Sequence, residues 1–218
     1  NLVICFCNSY SFIIDDKTKK IIKDFAASPL SRRDLVGGYI ISGASVGLIL
    51  GLVAFILAEI YIVAGGGQLL QPVAIVKVLG CILLSVFSSS AMVFLLVSFL
   101  KSQNAFGTAS SIVGTLIGFL TGVYIPIGIL PAPVQAVVKI FPPSHSGVLF
   151  RRIMMEEPMK TAFGQAPPSA AEAFKLEMGM LFKIGETEIS TIASIGFLLV
   201  SGIVFYLLAI LKMSRKSN

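Results

Sequence analysis

Residues 35–58 read LVGGYIISGASVGLILGLVAFILA, a run of 24 residues without a charged side chain. A helix needs about 20 apolar residues to cross roughly 30 Å of hydrocarbon at its rise of ~1.5 Å per residue. Three more uncharged runs of sufficient length follow, at residues 78–100, 102–138 and 189–211. The sequence therefore predicts a membrane protein with several spanning helices, and it excludes a soluble enzyme, a secreted disulfide scaffold and a disordered chain.

The composition of the 218 residues agrees with this prediction. Charged residues make up 13% and apolar residues 56%, whereas soluble domains carry about 25% charged residues. We attribute the net charge of +6 to basic residues in cytoplasmic loops, and we expect no nucleic-acid partner. The cysteines Cys5, Cys7 and Cys81 lie in apolar runs without zinc-ligand partners, so we interpret them as packing residues and expect no metal site.

We predict an all-α, polytopic transmembrane helical bundle with about five spans, forming a single transmembrane domain. The loop 15–34 holds six basic residues, and alternate loops place ten basic residues on one side against one in the short opposite loop. Because cytoplasmic loops are enriched in Lys and Arg, we place the loop 15–34 in the cytoplasm. The predicted segments are a partial span 1–14, the cytoplasmic loop 15–34, spans 35–63, 72–100 and 104–126, an external region 127–188, a span 189–211 and a cytoplasmic tail 212–218.

The run 1–14 reaches only about 21 Å as a helix, which is too short to cross the membrane. It has neither an initial Met nor a polar lead, so we expect it to be the end of a span whose beginning is missing. A re-entrant or interfacial segment is the alternative. Two charges, Glu59 and Lys77, fall near the outer ends of consecutive spans. They are interpreted as an interfacial ion pair, with a proton- or substrate-coupling pair as the alternative.

The cytoplasmic loop predicts a short amphipathic helix over 17–27, with Ile21, Ile22 and Phe25 on one face and lysines largely opposite. The helix breaks before Pro29 because a residue that precedes proline disfavours the helical conformation. Such a helix can present a rigid knob to a cytosolic partner, or it can lie on the membrane surface beside anionic lipid. The residues alone leave both hypotheses open.

Small and polar residues within the spans suggest further roles. Glycine recurs every four residues in two stripes, which we interpret as helix-packing surfaces. The second stripe is a candidate for the surface that moves or meets a second membrane chain, identical or different. A possible polar path is formed by Ser88, Ser89, Tyr124 and Pro126. The two stripes are Gly43, Gly47 and Gly51, and Gly114, Gly118 and Gly122.

The sequence of the external region 127–188 predicts short amphipathic helices that form a lid or a re-entrant collar. A capping box at Ser169 and Glu172 predicts a helix that continues to about Lys183. His145 follows Ser144, but no oriented acid or nucleophile motif accompanies this pair. We therefore expect no catalytic residue.

Two stretches resemble ABC-2 type transporter permeases, the transmembrane subunits of ABC exporters. The first is KIIKDFAASPLSRRDLVGG at residues 20–38, and the second is GFLTGVYIPIGILP at residues 118–131, followed by FPPS at 141–144. The first is similar to the family's cytoplasmic loop, and the second to the exit of its fifth helix. The order and spacing of the spans agree over nearly the whole sequence. The helix count falls short of the family's by one or more, which is consistent with the expected missing start of the span at 1–14.

The resemblance implies a six-helix permease half with a coupling helix in its first loop. It implies an ATP-binding cassette ATPase subunit that holds ATP and Mg, a second permease chain, and a place in the plasma membrane. The exported substrate would be amphipathic: a drug, an antibiotic, a peptide, a lipid or a polysaccharide. The implied ATPase-coupling residues are Lys19, Lys20, Lys23, Phe25, Pro29, Leu30, Arg32 and Arg33.

The sequence carries no Gly-x-x-x-x-Gly-Lys-Ser/Thr phosphate loop. We therefore expect a transport subunit that binds no cofactor and does not hydrolyse nucleotide itself. The alternative is an ATP-independent membrane protein, either a secondary transporter or an assembly subunit. Transporters driven by ion gradients carry ionisable residues or broken helices at mid-membrane. The only acid within a predicted span is Glu59, near one end, which counts against this alternative.

Overall fold

The computed structural model describes residues 32–100, 102–164, 167–184 and 187–215. Within these ranges it leaves undescribed the side chains of Arg32, Arg33, Leu35, Val36, Ile184, Met213, Ser214 and Arg215. The predicted partial span 1–14 and nearly all of the loop 15–34 lie outside the described residues.

The described chain is almost entirely helical. Three long helices come first, separated by short connections, and a fourth long helix ends the chain. These are α1 (Arg32–Ala64), α2 (Pro72–Phe99), α3 (Gln103–Leu120) and α8 (Thr191–Arg215). Between α3 and α8 lie a 3₁₀ turn (Ile127–Ile129), α4 (Ala132–Ile140), α5 (Pro142–Met154), α6 (Glu156–Ala162), α7 (Pro168–Glu177) and the two-residue strands β1 (Lys183–Ile184) and β2 (Thr187–Glu188).

Three of the described helices are long and apolar enough to cross a membrane, over Gly37–Ala64, Pro72–Phe99 and Thr191–Lys212. These segments coincide with the predicted spans 35–63, 72–100 and 189–211. The prediction of an all-α helical membrane bundle is confirmed.

The end of α1 shows how a glycine stops a long apolar helix. Gly66 has a positive φ of +83°, a conformation that costs other residues energy because of their Cβ. The N–H of Gly67 donates to the carbonyl of Ile62, and the N–H of Gly66 donates to that of Val63. This Schellman pairing satisfies two carbonyls that the helix would otherwise leave open.

The same pairing ends α3 earlier than the sequence predicted. We expected a span over 104–126, but the helix stops at Leu120. Gly122 has a φ of +72°, and the N–H of Val123 donates to the carbonyl of Gly118. The remaining 18 residues rise only about 27 Å. The predicted end at residue 126 is wrong because an apolar run does not reveal where a glycine reverses the backbone.

The helix predicted from a capping box also has different bounds. It begins at Pro168, with Pro167 at its N-cap and no side-chain cap, because proline suits the first helical turn. It ends at Glu177 instead of continuing to Lys183. Lys183 instead pairs with Glu188 across the antiparallel strands β1 and β2.

The chain forms two compact units, which we describe separately. Of the described residues, the first unit comprises 32–51, 86–100, 102–115 and 199–215, and the second comprises 52–85, 116–164, 167–184 and 187–198. In the first unit Tyr39 stacks on Phe94, with ring centroids 6.2 Å apart. The second unit contains two buried apolar clusters. One comprises Ile127, Val138, Val148 and Phe182, and the other comprises Cys81, Leu149 and Leu198.

Candidate functional site

A serine cluster lies in the part of α2 that belongs to the first unit. Ser88, Ser89 and Ser90 are all buried. The hydroxyl of Ser88 lies 3.2 Å from that of Ser201 on α8, so the two form a hydrogen bond between helices. The Ser90 hydroxyl has no hydrogen-bond partner among the described residues. The cluster therefore contains one hydroxyl that bonds α2 to α8, that of Ser88, and one buried hydroxyl, that of Ser90, without a partner among the described residues.

Gly202 allows α2 and α8 to approach closely at this cluster. A Cβ on Gly202 would lie 2.6 Å from Cε1 of Phe87 and 3.3 Å from Cα of Ser88. This close approach was missed in the sequence because Gly202 is not part of a four-residue stripe. The only available signal was a glycine in an apolar helix, which is common in membrane spans.

The predicted glycine stripes differ in what surrounds them. Gly43, Gly47 and Gly51 are all buried along α1, which agrees with a packing surface, although their role stays a prediction. The second stripe is wrong as a single helix face, because Gly122 lies beyond the end of α3. A Cβ at Gly118 would overlap the ring of Tyr124, so the space beside Gly118 is filled by the turn that follows its own helix.

The predicted path residues Tyr124 and Pro126 lie in that turn, in the second unit. The Tyr124 ring meets Phe119 edge to face, with ring centroids 5.2 Å apart, and it is about half exposed. Pro126 precedes the 3₁₀ turn as its N-cap. A role in a translocation path stays a prediction for both residues.

Arg151, on α5, holds the C-terminal end of α3. Its Nη2 donates to the carbonyls of Thr121 and Gly122 at 2.6 and 2.9 Å. The Ser144 hydroxyl donates to the carbonyl of Leu120 at 2.9 Å. A guanidinium at a helix C-terminus opposes the negative end of the helix dipole. Burial lowers the pKa of Arg151, and its Nη1 is buried without a partner among the described residues.

Arg152, the next residue of α5, reaches in another direction. Its Nε donates to the carbonyl of Met180 at 2.6 Å, and its Nη2 donates to the carbonyl of Ile189 at 3.0 Å. Its remaining bonds are an ion pair with Glu188 at 2.8 Å and a hydrogen bond to the Thr191 hydroxyl at 3.0 Å. We call Arg151 and Arg152 the arginine clamp, because together they tie α5 to the end of α3 and to the start of α8.

His145 is a buried connection between α5 and α8. Its Nε2 donates to the carbonyl of Lys139 at 2.8 Å, so its Nδ1, 3.3 Å from the Ser194 hydroxyl, accepts a hydrogen bond in the neutral ring. The rings of Phe182 and Phe197 pack against it. Burial lowers the pKa of His145 below its ordinary value of 6.5, while the bond to the Lys139 carbonyl acts in the opposite direction.

The predicted ion pair between Glu59 and Lys77 is wrong. Glu59 is buried, and its Oε2 accepts a hydrogen bond from the backbone N–H of Leu70 at 3.2 Å. Its Oε1 has no partner among the described residues. Lys77 is exposed on α2. The buried carboxylate therefore braces the connection between α1 and α2 through the backbone.

The structure does not test the predicted coupling site. Its residues from Lys19 to Leu30 lie outside the described residues. Arg32 and Arg33 open helix α1, but only their backbone is described. The predicted packing role of Cys81 agrees with its place in a buried cluster with Leu149 and Leu198, while Cys5 and Cys7 lie outside the described residues.

Comparison with known proteins gives the family. The family model described as ABC-2 family transporter protein matches residues 2–211, nearly the whole chain. No curated protein matches the sequence. The family match, together with three described helices of membrane-spanning length, agrees with the resemblance carried by residues 20–38 and 118–131. The chain is a membrane protein and belongs to the ABC-2 family of transporter proteins.

Proposed function

We propose that this chain is the permease subunit of an ATP-driven exporter, crossing the plasma membrane several times and moving an amphipathic substrate out of the cell. The observation that carries this proposal is the family match over residues 2–211. The energy would come from an ATP-binding cassette subunit that holds ATP and Mg²⁺. A second permease chain, identical or different, would complete the translocation unit.

The basic loop 15–34 is the proposed contact with the ATPase subunit. Phe25, Pro29 and Leu30 would form its shaped surface. The charged positioning groups would be Lys19, Lys20, Lys23, Arg32 and Arg33.

The start of α1 supports a mechanical role for this loop. Helix α1 runs without interruption from Arg32 to Ala64. A displacement of the loop would therefore act directly on a 33-residue helix. The buried glycines Gly43, Gly47 and Gly51 would let this helix slide against a neighbour at close range.

The polar path is proposed along the serine cluster of α2. Ser88 is bonded to Ser201 in the conformation described here, so a path at this position requires α2 and α8 to separate. Ser89 and the unsatisfied Ser90 hydroxyl would then become available to polar groups of the substrate. Tyr124 and Pro126 would contact the substrate where it leaves the membrane.

Coupling can be tested with the chain co-expressed with a candidate ATP-binding cassette subunit from the same organism. We expect the two to copurify, and we expect ATP hydrolysis in nanodiscs to rise with substrate. Phe25→Ala and Arg33→Glu should abolish the substrate-stimulated part of ATP hydrolysis while membrane insertion stays normal. Lys77→Glu, a charge reversal on α2 and outside the loop 15–34, is the matched control and should leave coupling unchanged.

Two results would overturn the proposed mechanism, and a third would overturn the proposed orientation. One is normal coupling in both Phe25→Ala and Arg33→Glu. The other is substrate transport by the purified chain in liposomes without an ATPase subunit, which would favour the ATP-independent alternative. Labelling of the loop 15–34 from outside intact cells would also contradict the proposed orientation.

A further inference from the structure

A cavity of about 520 Å³ lies in the second unit, among α5, α6, α7 and the segment that leads to β1. Its apolar lining includes Met159, Phe163, Met180 and Leu181. Met159 and Met180 are buried. Pockets that bind small molecules have volumes of roughly 300–1,000 Å³ and a mainly apolar lining with a few placed polar groups. The cavity has the size and lining of a ligand site.

Contacts between its walls keep this cavity open. The rings of Phe163 and Phe174 pack with centroids 5.2 Å apart, joining the chain after α6 to α7. Glu172 on α7 accepts a hydrogen bond from Lys183 of β1 at 2.7 Å. Arg152 of the arginine clamp holds the far wall through its bonds to Met180 and Glu188. These contacts join all the surrounding elements, so a ligand would meet a preformed site.

Most charges at the cavity are already neutralised by the protein. Lys160 donates to Glu156 at 3.2 Å and to Glu157 at 2.9 Å. Arg152 pairs with Glu188. The acids that line the cavity, Glu156 and Glu188, therefore both have cationic partners.

Lys175 is the one charged residue of the cavity lining that forms no ion pair with a described residue. It lines the cavity from the last turn of α7 and has no hydrogen bond or ion pair from its side chain to any described residue. Glu172 interacts with the charge of Lys175, but the pKa of Glu172 is lowered first by the hydrogen bond from Lys183, and the charge of Lys175 is the last of its causes. The cavity thus combines an apolar lining with one ammonium group that forms no ion pair with a described residue.

We propose that this cavity binds a single-chain amphiphile with one anionic head group, with the head at Lys175 and the hydrocarbon tail between Met159 and Met180. The flexible thioether side chains of methionine adapt to tails of different shape. A carboxylate or a phosphate would serve as the head group, because the lysine ammonium binds either as a point charge. The site shares no residue with the serine cluster, and it does not depend on the proposed coupling mechanism.

The binding test uses the purified chain in phosphatidylcholine nanodiscs. The probes are dodecanoate and dodecyl phosphate, each with a photoreactive diazirine near the end of the tail, and dodecanol with the same group as the neutral control. Mass spectrometry of the labelled peptides locates the tail. We expect saturable labelling within residues 152–181 by one or both anions, with much weaker labelling by dodecanol. The ratio of the two anions distinguishes a carboxylate from a phosphate ligand.

Variants distinguish a specific head-group contact from non-specific binding of amphiphiles. Lys175→Gln should raise the concentration for half-maximal labelling about tenfold, because one charge-assisted contact is lost. Lys175→Arg should retain binding. Lys139→Gln, on α4 and outside the cavity, is the control and should bind as the wild type does. Ala171→Phe should fill the cavity and remove labelling, and thermal unfolding of each variant shows whether it is folded.

The proposal is overturned if the three probes label residues 152–181 equally, or if labelling is confined to the spanning helices. It is equally overturned if folded Lys175→Gln binds the anions as tightly as Lys139→Gln does. None of these results bears on coupling to an ATPase, so failure of this site leaves the proposed function intact.

Discussion

The ends of α1 and α3 have the same backbone motif in very different surroundings. Both helices stop in a Schellman pairing around a glycine of positive φ, Gly66 in one and Gly122 in the other. A Cβ on Gly66 would meet nothing within 4 Å, whereas a Cβ on Gly122 would lie 2.6 Å from Cγ1 of Ile127 and 3.1 Å from Nη2 of Arg151. One end is free at the surface, and the other is enclosed by the protein.

The difference shows that local chemistry can stop a helix while distant residues decide how firmly its end is held. The carbonyls at the end of α3 receive hydrogen bonds from Arg151 and Ser144, more than 20 residues along the chain. The end of α1 has one comparable brace, the bond from the Leu70 N–H to Glu59. We therefore expect the same substitution to cost more at the end of α3.

The largest expected effect comes from alanine at Gly122, and alanine at Gly66 provides the comparison. Gly122→Ala combines an unfavourable φ with a steric clash, and we expect it to lower the free energy of unfolding by about 3 kcal/mol. Gly66→Ala meets only the unfavourable φ, and we expect a loss of about 1 kcal/mol. Unfolding in mixed micelles, titrated with a denaturing detergent, measures both. Equal losses at the two sites would contradict the comparison.

Removing the guanidinium tests the clamp directly. Arg151→Ala leaves the carbonyls of Thr121 and Gly122 without their donor, and we expect a loss of about 2 kcal/mol in the same titration. Arg151→Lys keeps the charge but replaces the guanidinium, whose Nη2 donates to both carbonyls, with an ammonium on a shorter side chain. It should therefore lose about half as much stability. Lys77→Ala, on an exposed part of α2, is the control and should stay within about 0.5 kcal/mol of the wild type. If Arg151→Ala has the same free energy of unfolding as the wild type, the cost of burying the Arg151 guanidinium with an unsatisfied Nη1 cancels the benefit of its hydrogen bonds.

The sequence was sufficient to predict the spans, because the thickness of the hydrocarbon layer sets their length. Any uncharged apolar run of about 20 residues satisfies this requirement, whatever it packs against. The end of α3 could not be predicted in the same way, since residues 118–126 stay uncharged through the turn. Tyr124 folds back over Gly118, a contact that no periodic pattern reveals.

The polar contacts of α5 were harder still to predict. Two adjacent arginines in a mainly apolar region signal a structural or binding role, but their partners are mostly backbone carbonyls. Every residue has a carbonyl, so the sequence cannot single out Thr121 or Met180. His145 was interpreted beside Ser144 in the sequence, whereas its hydrogen-bond partner is Ser194 on another helix.

His145 makes the second unit sensitive to acid. Its pKa is lowered in the folded protein by burial, so below its ordinary value of 6.5 the unfolded chain binds a proton that the folded chain does not. Stability should therefore be constant near neutral pH and should fall as the pH drops below that value, by at most about 1.4 kcal/mol per pH unit. Unfolding titrations between neutral and mildly acidic pH measure this slope. His145→Gln retains an N–H that can donate to the Lys139 carbonyl, and it should make stability nearly independent of pH over this range. An unchanged slope in this variant would mean that other groups cause the acid sensitivity.

The smallest expected effect concerns the second donor at the end of α3. Ser144→Ala removes the hydrogen bond to the buried end of the helix at Leu120, and we expect a loss of about 1 kcal/mol. Ser45→Ala is the matched control, because the exposed Ser45 hydroxyl bonds only to the carbonyl of Ile41 within α1. That carbonyl already has a partner in the helix, so the control should change stability by less than about 0.5 kcal/mol. If Ser144→Ala behaves like Ser45→Ala, then Arg151 alone holds the end of α3, and the double variant with Arg151→Ala should be no less stable than Arg151→Ala by itself.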